Sequence, residues 1–385
     1  MEYTKSVMTE AMKAAPHPGA NDATSLTASI VIVNYNGRDL LPACLKPTLA
    51  QAEELGAEVI VVDNGSTDGS VELLQRQYPT VRLIESARNL GFAGGCNAGT
   101  RAAASETVIL LNNDAVPDPG WLVALLGALA EPNVVVACSV IEEREYPAAY
   151  ELGTGSLSLI GQPIAGAMRR TDQPFYATGC SLAFKRSLCG DPFDPILFAY
   201  YEDVLLAWRL RLRGFKIARA LGSRVQHLGS ATARRNPARA FYFRERNKLL
   251  TLLLCYERST LARLLPLYLF DALVRLVEDC YRGFRGLPPG QAGAPALLTK
   301  YAVLLKALGW LVLHGAAIQK RREAIQRQRR VGDVTLTPLL SEKIFDDVIP
   351  SHMHARANRL TRLYCRLVGV TTVEQRIRLG PDKTR

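Results

Sequence analysis

Short apolar runs that stop abruptly at amides and carboxylates constrain this chain most. Ser29-Ile30-Val31-Ile32-Val33 stops at Asn34, and Val59-Ile60-Val61-Val62 stops at Asp63. Val108-Ile109-Leu110-Leu111 stops at Asn112, Asn113 and Asp114, and Pro117, Asp118, Pro119 and Gly120 then break the chain before a helix at Trp121. Continuous β-branched runs of this length, with no polar alternation, read as strands buried on both faces. A shorter strand is expected at residues 81–84 and a fifth at 134–138, with helices at 40–55, 71–78, 121–130 and one ending near 104. Strand and helix alternating at short spacing predict an α/β fold, Rossmann-like, with a mostly parallel, doubly wound central sheet. In such sheets ligands bind beyond the carboxyl ends of the strands, which is where these amides and acids stand.

At 385 residues the chain is one large domain with an appendage, or two domains. Its eight cysteines are scattered without a CxxC pair or zinc spacing, which suggests a reducing compartment and no disulfide framework. Residues 1–27 lack the apolar core of a signal peptide and read as a loose, flexible tail. The net charge of +11 hints at an anionic partner, either a phosphate-bearing substrate or a lipid surface. Nucleic acid is disfavoured, because no motif interleaves aromatic and basic residues as RNA readers do.

After residue 139 the pattern changes. Glycines, prolines and short strand-like runs fill 141–185, including Ala177-Thr178-Gly179-Cys180-Ser181-Leu182-Ala183-Phe184. Glu202-Asp203 opens a helix to Arg213 with Leu205, Trp208, Leu212 and Phe215 at core spacing. Short strands are expected at 216–218 and 224–226, before His227-Leu228-Gly229-Ser230. From Phe241 onward the chain reads as helical, with apolar stretches interrupted by Arg263, Arg275, Lys300 and Lys306 and a break at Leu287-Pro288-Pro289-Gly290. A basic run follows at Arg321, Arg322, Arg327, Arg329 and Arg330, and Leu360, Leu363 and Leu367 mark a last amphipathic helix. Apolar faces with Lys and Arg borders suit helices lying in a membrane interface. They also suit a helical subdomain packed on itself or on a second subunit as a homodimer. No run of about 20 uncharged apolar residues predicts a transmembrane helix.

Several residues carry candidate chemistry. Asp114, flanked by amide oxygens at a strand end, is a seat for Mg2+ or Mn2+ carrying a diphosphate; an Asn/Asp-rich turn with no ligand is equally open. Asp63 can accept a hydrogen bond from a pyrimidine N–H, or be a solvated turn residue. Gly91, Gly94 and Gly95 can bring backbone N–H groups to a phosphate, or let a helix pack tightly on the sheet. Glu202 and Asp203 at a helix start are the best candidates for proton chemistry, where the helix N-terminus favours the ionised base. Purely dipole-matching acids are the alternative. His227 is a metal or phosphate ligand, or an ordinary surface histidine. Neither GxGxxG nor GxxxxGK[ST] is present, so a nucleotide must be held by other means.

Taken together, these stretches resemble the inverting nucleotide-sugar glycosyltransferases of family 2, with the GT-A fold. The resemblance covers residues 29–248. It rests on Val31-Ile32-Val33-Asn34-Tyr35-Asn36, Val62-Asp63-Asn64-Gly65-Ser66-Thr67-Asp68-Gly69-Ser70, Asn89-Leu90-Gly91-Phe92-Ala93-Gly94-Gly95-Cys96-Asn97, Leu111-Asn112-Asn113-Asp114 and Glu202-Asp203. With Arg88-Asn89-Leu90-Gly91-Phe92, His227-Leu228-Gly229-Ser230 and Arg246-Asn247-Lys248, the flavour is similar to bacterial rhamnosyltransferases using dTDP-rhamnose.

The resemblance implies a glycosyltransferase domain at 28–248; composition and patterning add a flexible tail at 1–27 and a helical region at 249–385 that either associates with a membrane or packs on itself or a second subunit. It implies that Asn34, Tyr35 and Asn36 line the nucleotide pocket, Asp63 holds the pyrimidine, and Arg88, Asn89, Gly95 and Asn113 lie near the donor. Asp114 takes the metal role, with His227 on the metal or diphosphate. Thr178, Gly179 and Cys180 face the acceptor, and Asp203 is the base with Glu202 beside it. The resemblance implies a nucleotide-sugar donor and one sugar per encounter; the helical, basic C-terminal third suggests a cell-envelope or lipid-linked glycan acceptor and a cytoplasmic location at the inner face of the cell membrane. Two departures stand out: Leu205 where a further acid is common, and Asn112 at the first position of the DxD motif. A UDP- or GDP-sugar donor, an inactive nucleotide-sugar-binding scaffold and a nucleotidyltransferase remain as alternatives.

Overall fold

The computed structural model describes residues 12–14, 26–143, 156–164, 174–228, 236–285, 297–345 and 352–375. The chain divides into two compact units. The first comprises Met1–Leu152, Ala177–Leu206 and Lys216–Gly229; the second comprises Gly153–Tyr176, Ala207–Phe215 and Ser230–Arg385.

The first unit is built on one nine-stranded sheet of order β1-β4-β3-β2-β5-β8-β7-β9-β6. The strands are β1 (Met12–Ala14), β2 (Ser29–Asn34), β3 (Glu58–Asp63), β4 (Arg82–Ser86), β5 (Thr107–Asn112), β6 (Ala115–Pro117), β7 (Val134–Glu143), β8 (Ser181–Lys185) and β9 (Lys216–His227). Strands β2 to β5, β7 and β9 run one way, and β1, β6 and β8 run against them. The GT-A expectation of a mostly parallel sheet therefore holds, in a mixed form. Strand β8 inserts antiparallel between β5 and β7, and it begins at Ser181 rather than Ala177. The two short strands expected at 216–218 and 224–226 are one strand, β9, with a register shift between them against Ser139 and Val140.

The β-branched runs are buried along their whole length, and their alternation decides which helix covers which face. Ile30 and Ile32 face Leu41, Cys44 and Leu45 of helix α1 (Leu41–Leu55). Val31 and Val33 face helix α3 (Gly91–Ala102) instead. A Cβ on Gly95 would stand 2.7 Å from Val33 Cγ1, and one on Gly99 would collide with Val31. Two glycines one turn apart thus let α3 lie closer to the sheet than side chains allow. Helices α2 (Ser70–Gln77) and α4 (Trp121–Leu129) complete the layers; Trp121 is fully buried and donates from Nε1 to Ser181 Oγ at 2.9 Å.

Helix α5 (Arg186–Cys189) is a single turn, and helix α6 (Glu202–Leu212) begins in the first unit and continues into the second. In the second unit its Trp208 makes edge contacts with Phe175 at 5.1 Å and Tyr256 at 4.8 Å. Helices α7 (Pro237–Cys255), α8 (Arg258–Phe284), α9 (Leu297–Leu313), α10 (Gly315–Arg327), α11 (Asp333–Leu336) and α12 (His352–Leu367) follow. The core spacing expected around α6 holds for Leu205, Trp208 and Leu212, all buried, while Phe215 is half-buried with Arg213 over its ring. The expected break at 287–290, Gly229-Ser230 and most of the N-terminal tail lie outside the described residues. Of that tail, Met12–Ala14 pairs with Ile84, Glu85 and Ser86 at the sheet edge.

Candidate active site

Parallel pairing brings the ends of three strands level. Asn34 stands opposite Asp63, and Val33 opposite Asn112. Every chemically distinctive strand end is therefore on one rim of the first unit, as the topology of an open α/β sheet requires.

At the centre of that rim is a chain of amides and a carboxylate. Asn34 donates from Nδ2 to Asp63 Oδ2 at 3.1 Å and to Ser66 Oγ at 3.2 Å, while its Oδ1 accepts from Asn113 Nδ2 at 2.8 Å. Ser66 N donates to Asp63 Oδ1 at 2.9 Å. Both oxygens of this buried carboxylate are thus engaged and its plane is set. Asn36, at φ 50°, accepts from Thr67 N at 2.8 Å and so ties the first loop to the second. Any side chain on Gly37 would run into Asn113 Nδ2, so the first loop has no room to be anything else. Tyr35 projects from this loop with 39% of its surface exposed.

Asn64 does work that sequence reasoning left out. It is 2% exposed, accepts from Leu90 N at 2.9 Å, and donates to Gly91 O at 3.0 Å. Asn89 closes the same turn by accepting from Gly91 N at 2.8 Å, and Arg88 projects into solvent beside it. An asparagine directly after the strand-ending acid was the available signal, since Asn side chains commonly satisfy loop backbone.

Further along the rim, β5 gives way to β6, and β6 pairs antiparallel with the end of β9. That pairing places Ala115 opposite His227 and lets Leu228 N donate to Asp114 O at 2.9 Å. His227 Nε2 lies 3.2 Å from Asp114 Oδ1, with both side chains about nine-tenths buried. That carboxylate oxygen has no conventional hydrogen bond among the described residues, nor does the buried Asn112 Oδ1.

On the other side of β5, Cys180 O accepts from Asn112 N at 2.9 Å, which fixes the loop before β8. Gly179 N then donates to Asp203 Oδ2 at 3.0 Å, and Val204 N donates to Asp203 Oδ1 at 2.7 Å. Asp203 is held by backbone from two separate segments. The chain arrives at it under strain: Phe198, Tyr200 and Tyr201 have φ of 64°, 69° and 68°, left-handed values that each cost an aromatic residue roughly 1–3 kcal/mol. Phe198 O accepts from Ala93 N at 3.1 Å, and a Cβ on Gly91 would collide with that same carbonyl. Glycine at 91, itself at φ 76°, is what allows the strained loop to close onto α3.

Residues 29–190 match the model described as glycosyl transferase family 2. This stretch is a family 2 glycosyltransferase domain. The N-acetylglucosaminyl-diphospho-decaprenol L-rhamnosyltransferase of Mycobacterium tuberculosis is 29% identical over 241 residues, 54% of this chain and 78% of that protein. The undecaprenyl-phosphate 4-deoxy-4-formamido-L-arabinose transferase of Pseudomonas aeruginosa is 32% identical over 167 residues, 42% of this chain and 47% of that one. Among solved structures, GalNAc-T7 with UDP, GalNAc and Mn2+ superposes with a TM-score of 0.50 at 14% identity, over 70% of this chain and 53% of that one. That likeness carries the GT-A fold alone.

The glycosyltransferase rim gathers Asn34, Asn36, Asp63, Asn113, Asp114, His227, Gly179, Glu202 and Asp203. Other expected residues sit differently. Gly95 packs against Val33, so the reason for glycine there is the close approach of α3 to the sheet. Cys180 is buried in the core beside Ala183, and of the trio 178–180 it is the Gly179 backbone that meets a catalytic candidate.

The two acids of the glycosyltransferase differ in surroundings. Glu202 is buried, with Oε2 unpartnered among the described residues. Burial, together with the adjacent Asp203 charge, pushes its carboxyl up to about 8, which favours the protonated form. Burial raises Asp203 as well, but the Gly179 and Val204 N–H groups draw it back towards the ionised form. One acid is kept protonated and its neighbour is supplied with donors suited to a negative charge, the division of labour expected of paired catalytic carboxyls.

Proposed function

We propose that this chain transfers one sugar from a nucleoside diphosphate donor to a hydroxyl of a lipid-linked cell-envelope glycan, with inversion, and that the sugar is rhamnose from dTDP-rhamnose. The observation that carries the chemistry is Asp203, oriented by two backbone N–H groups beside a neutral Glu202, on the same rim as the Asp63–Asn34–Asn113 chain. Both curated relatives are named for polyprenyl carriers, and the one spanned over most of its length is named for rhamnose. In this reading the work is done at the inner face of the cell membrane.

In this reading Asp63 accepts from the pyrimidine N–H while Asn34 and Ser66 hold its carboxylate still. Tyr35 packs on the base, and Asn113 and Asn36 bound the donor's sugar and phosphate. Asp203 accepts the proton of the attacking hydroxyl, and inversion at the anomeric carbon follows in one displacement with the diphosphate leaving from the opposite face. Glu202, neutral, adds no second negative charge next to an anionic donor.

The donor set also fits a divalent cation. Asp114 Oδ1 is buried without a conventional hydrogen bond and has His227 Nε2 beside it. Among the described residues no cluster of three or more His, Cys, Asp or Glu stands ready as a cage. One carboxylate and few protein ligands, completed by phosphate oxygens, are the usual way Mg2+ is held in nucleotide enzymes. When bound, such an ion offsets the charge that builds on the departing diphosphate.

The direct test is a panel of dTDP-rhamnose, UDP-galactose, UDP-N-acetylglucosamine and GDP-mannose, with and without Mn2+, followed by release of the nucleoside diphosphate. dTDP-rhamnose is expected to be turned over fastest. Production of pyrophosphate instead would identify a nucleotidyltransferase and overturn the reading.

The pH profile gives a second test. Glu202 is neutral below about 8 and charged above it. Raising the pH through that value puts a second charge beside Asp203 and repels the donor, so kcat/KM falls on the alkaline side. On the acid side activity falls as Asp203 gains its proton, at a pH above the ordinary aspartate range. Glu202→Gln, neutral throughout, should lose the alkaline limb and keep the acid one. An alkaline fall near pH 8 that survives in Glu202→Gln would assign that limb to another group.

A further inference from the structure

Helix α8 of the second unit is inside out. Its charged residues after the first two turns are Asp271, Arg275, Glu278, Asp279 and Arg282, and every one is buried or half-buried. Asp271 accepts from Arg275 Nε at 2.8 Å, Glu278 Oε2 meets His354 Nε2 at 3.0 Å, and Asp279 pairs with Lys300 of α9. The residues turned to solvent are apolar instead. Leu265, Leu269, Leu273, Val277, Tyr281 and Phe284 are each between 50% and 91% exposed. The first five follow one another at i, i+4 spacing and form a single ridge; to Phe284 the stripe runs about 29 Å along the helix. Helix α9 repeats the pattern. Ala307 and Leu311 are buried, while Leu298, Leu305 and Val312 are 70% or more exposed. Scattered exposed leucines are ordinary, but a continuous apolar face bought by turning five charges inward is not.

The exposed charge carried by α8, α9, α10 and the residues that join and follow them has mostly one sign. Between residues 258 and 330 the exposed charges among the described residues are Arg258, Arg263, Arg285, Lys306, Lys320, Arg327 and Arg330, against Glu323 alone, which lies 3.7 Å from Arg327. We propose that the outward faces of α8 and α9 are a docking surface for an anionic lipid bilayer, with the leucine ridges in the acyl boundary and the basic side chains among the headgroups. An apolar face rimmed by Lys and Arg is the composition of an interfacial helix. Among the described residues no single helix is long and apolar enough to cross a membrane, and α9 and α10, which together have the length and composition of a broken span, are bent by 71° at their junction. A second copy of the chain fits less well, because a two-fold contact through this face would set two basic rims against each other. The surface deepens the proposed lipid-linked acceptor and rests on it for its purpose: it would keep the enzyme where such an acceptor resides.

The test is flotation of the full chain with phosphatidylcholine vesicles, with and without phosphatidylglycerol. The protein should float with the anionic vesicles, less with the neutral ones, and progressively less as salt is raised. Leu269→Glu/Leu273→Glu/Val277→Glu should lower the partition coefficient by more than about tenfold. These side chains are exposed, so the melting temperature and the rate of donor hydrolysis in solution should match the wild type. Failure of the wild type to float with either vesicle, or equal flotation of the triple variant, would overturn the proposal. So would a wild-type dimer that the triple variant converts to monomer, since the face would then belong to a second copy. Flotation with no hydrolysis of any sugar nucleotide would instead strike the sugar-transfer reading and leave the lipid surface standing.

Discussion

Asp203→Asn should lower kcat by about 10²- to 10⁴-fold, the range that a positioned general base supplies, and leave donor affinity nearly unchanged. The reason is local. The carboxylate is held by Gly179 N at 3.0 Å and Val204 N at 2.7 Å, so an isosteric amide enters the same space. It can satisfy one of those donors through its oxygen, but its NH2 group must face the other, and neither orientation leaves a basic lone pair for a hydroxyl proton. The lost acceptor costs roughly 1–3 kcal/mol of local stability, so a melting curve belongs beside the kinetics. Donor affinity by titration calorimetry separates the two effects: the proposed nucleotide contacts are on the loops after β2 and β3, which this substitution does not touch. Near-normal turnover by Asp203→Asn would remove Asp203 as the base.

Asp114→Ala should weaken metal-dependent donor binding by at least about tenfold, or about 1.4 kcal/mol. Without the ion the two proteins should bind the donor alike, because the effect runs through the cation. The substitution removes the carboxylate oxygen that has no conventional hydrogen bond and leaves His227 Nε2 without the group now 3.2 Å from it. The backbone role of residue 114 survives, since Leu228 N donates to its carbonyl and not to its side chain. The measurement is donor affinity with and without Mn2+ for both proteins. If Mn2+ changes neither, or shifts both equally, Asp114 holds no metal.

The site was legible in unequal parts. Strand ends can be read from composition, because a run of β-branched residues that meets an amide or acid marks both a strand and its carboxyl end. The strand-end positions of Asn34, Asp63 and Asp114 are legible that way. Asn64 was overlooked because its role is to satisfy the backbone of residues 90 and 91, a partner some 26 positions away that no local pattern announces. For Gly95 the sequence left two readings open, a ligand's approach and tight packing of a helix on the sheet, and only the sheet shows that Val33 stands where a Cβ would go. The choice between Glu202 and Asp203 was open in the sequence, since both begin the same helix. It depends on which one meets Gly179 N, and that requires knowing where the loop before β8 lies.

Periodicity and chain-breaking residues, read locally, determined the alternation of strands and helices, the rim at the strand ends and the five stretches that mark the resemblance to family 2. They act through backbone geometry over a few residues, so a linear pattern is enough. Tertiary structure alone decided that β8 runs antiparallel through the sheet, that the strained turn at 198–201 closes on Gly91, and that α8 points its charges inward. Each of these sets a residue against a partner far along the chain, and burial, which decides whether a carboxyl is charged or a leucine is covered, is a property of that meeting and of no segment by itself.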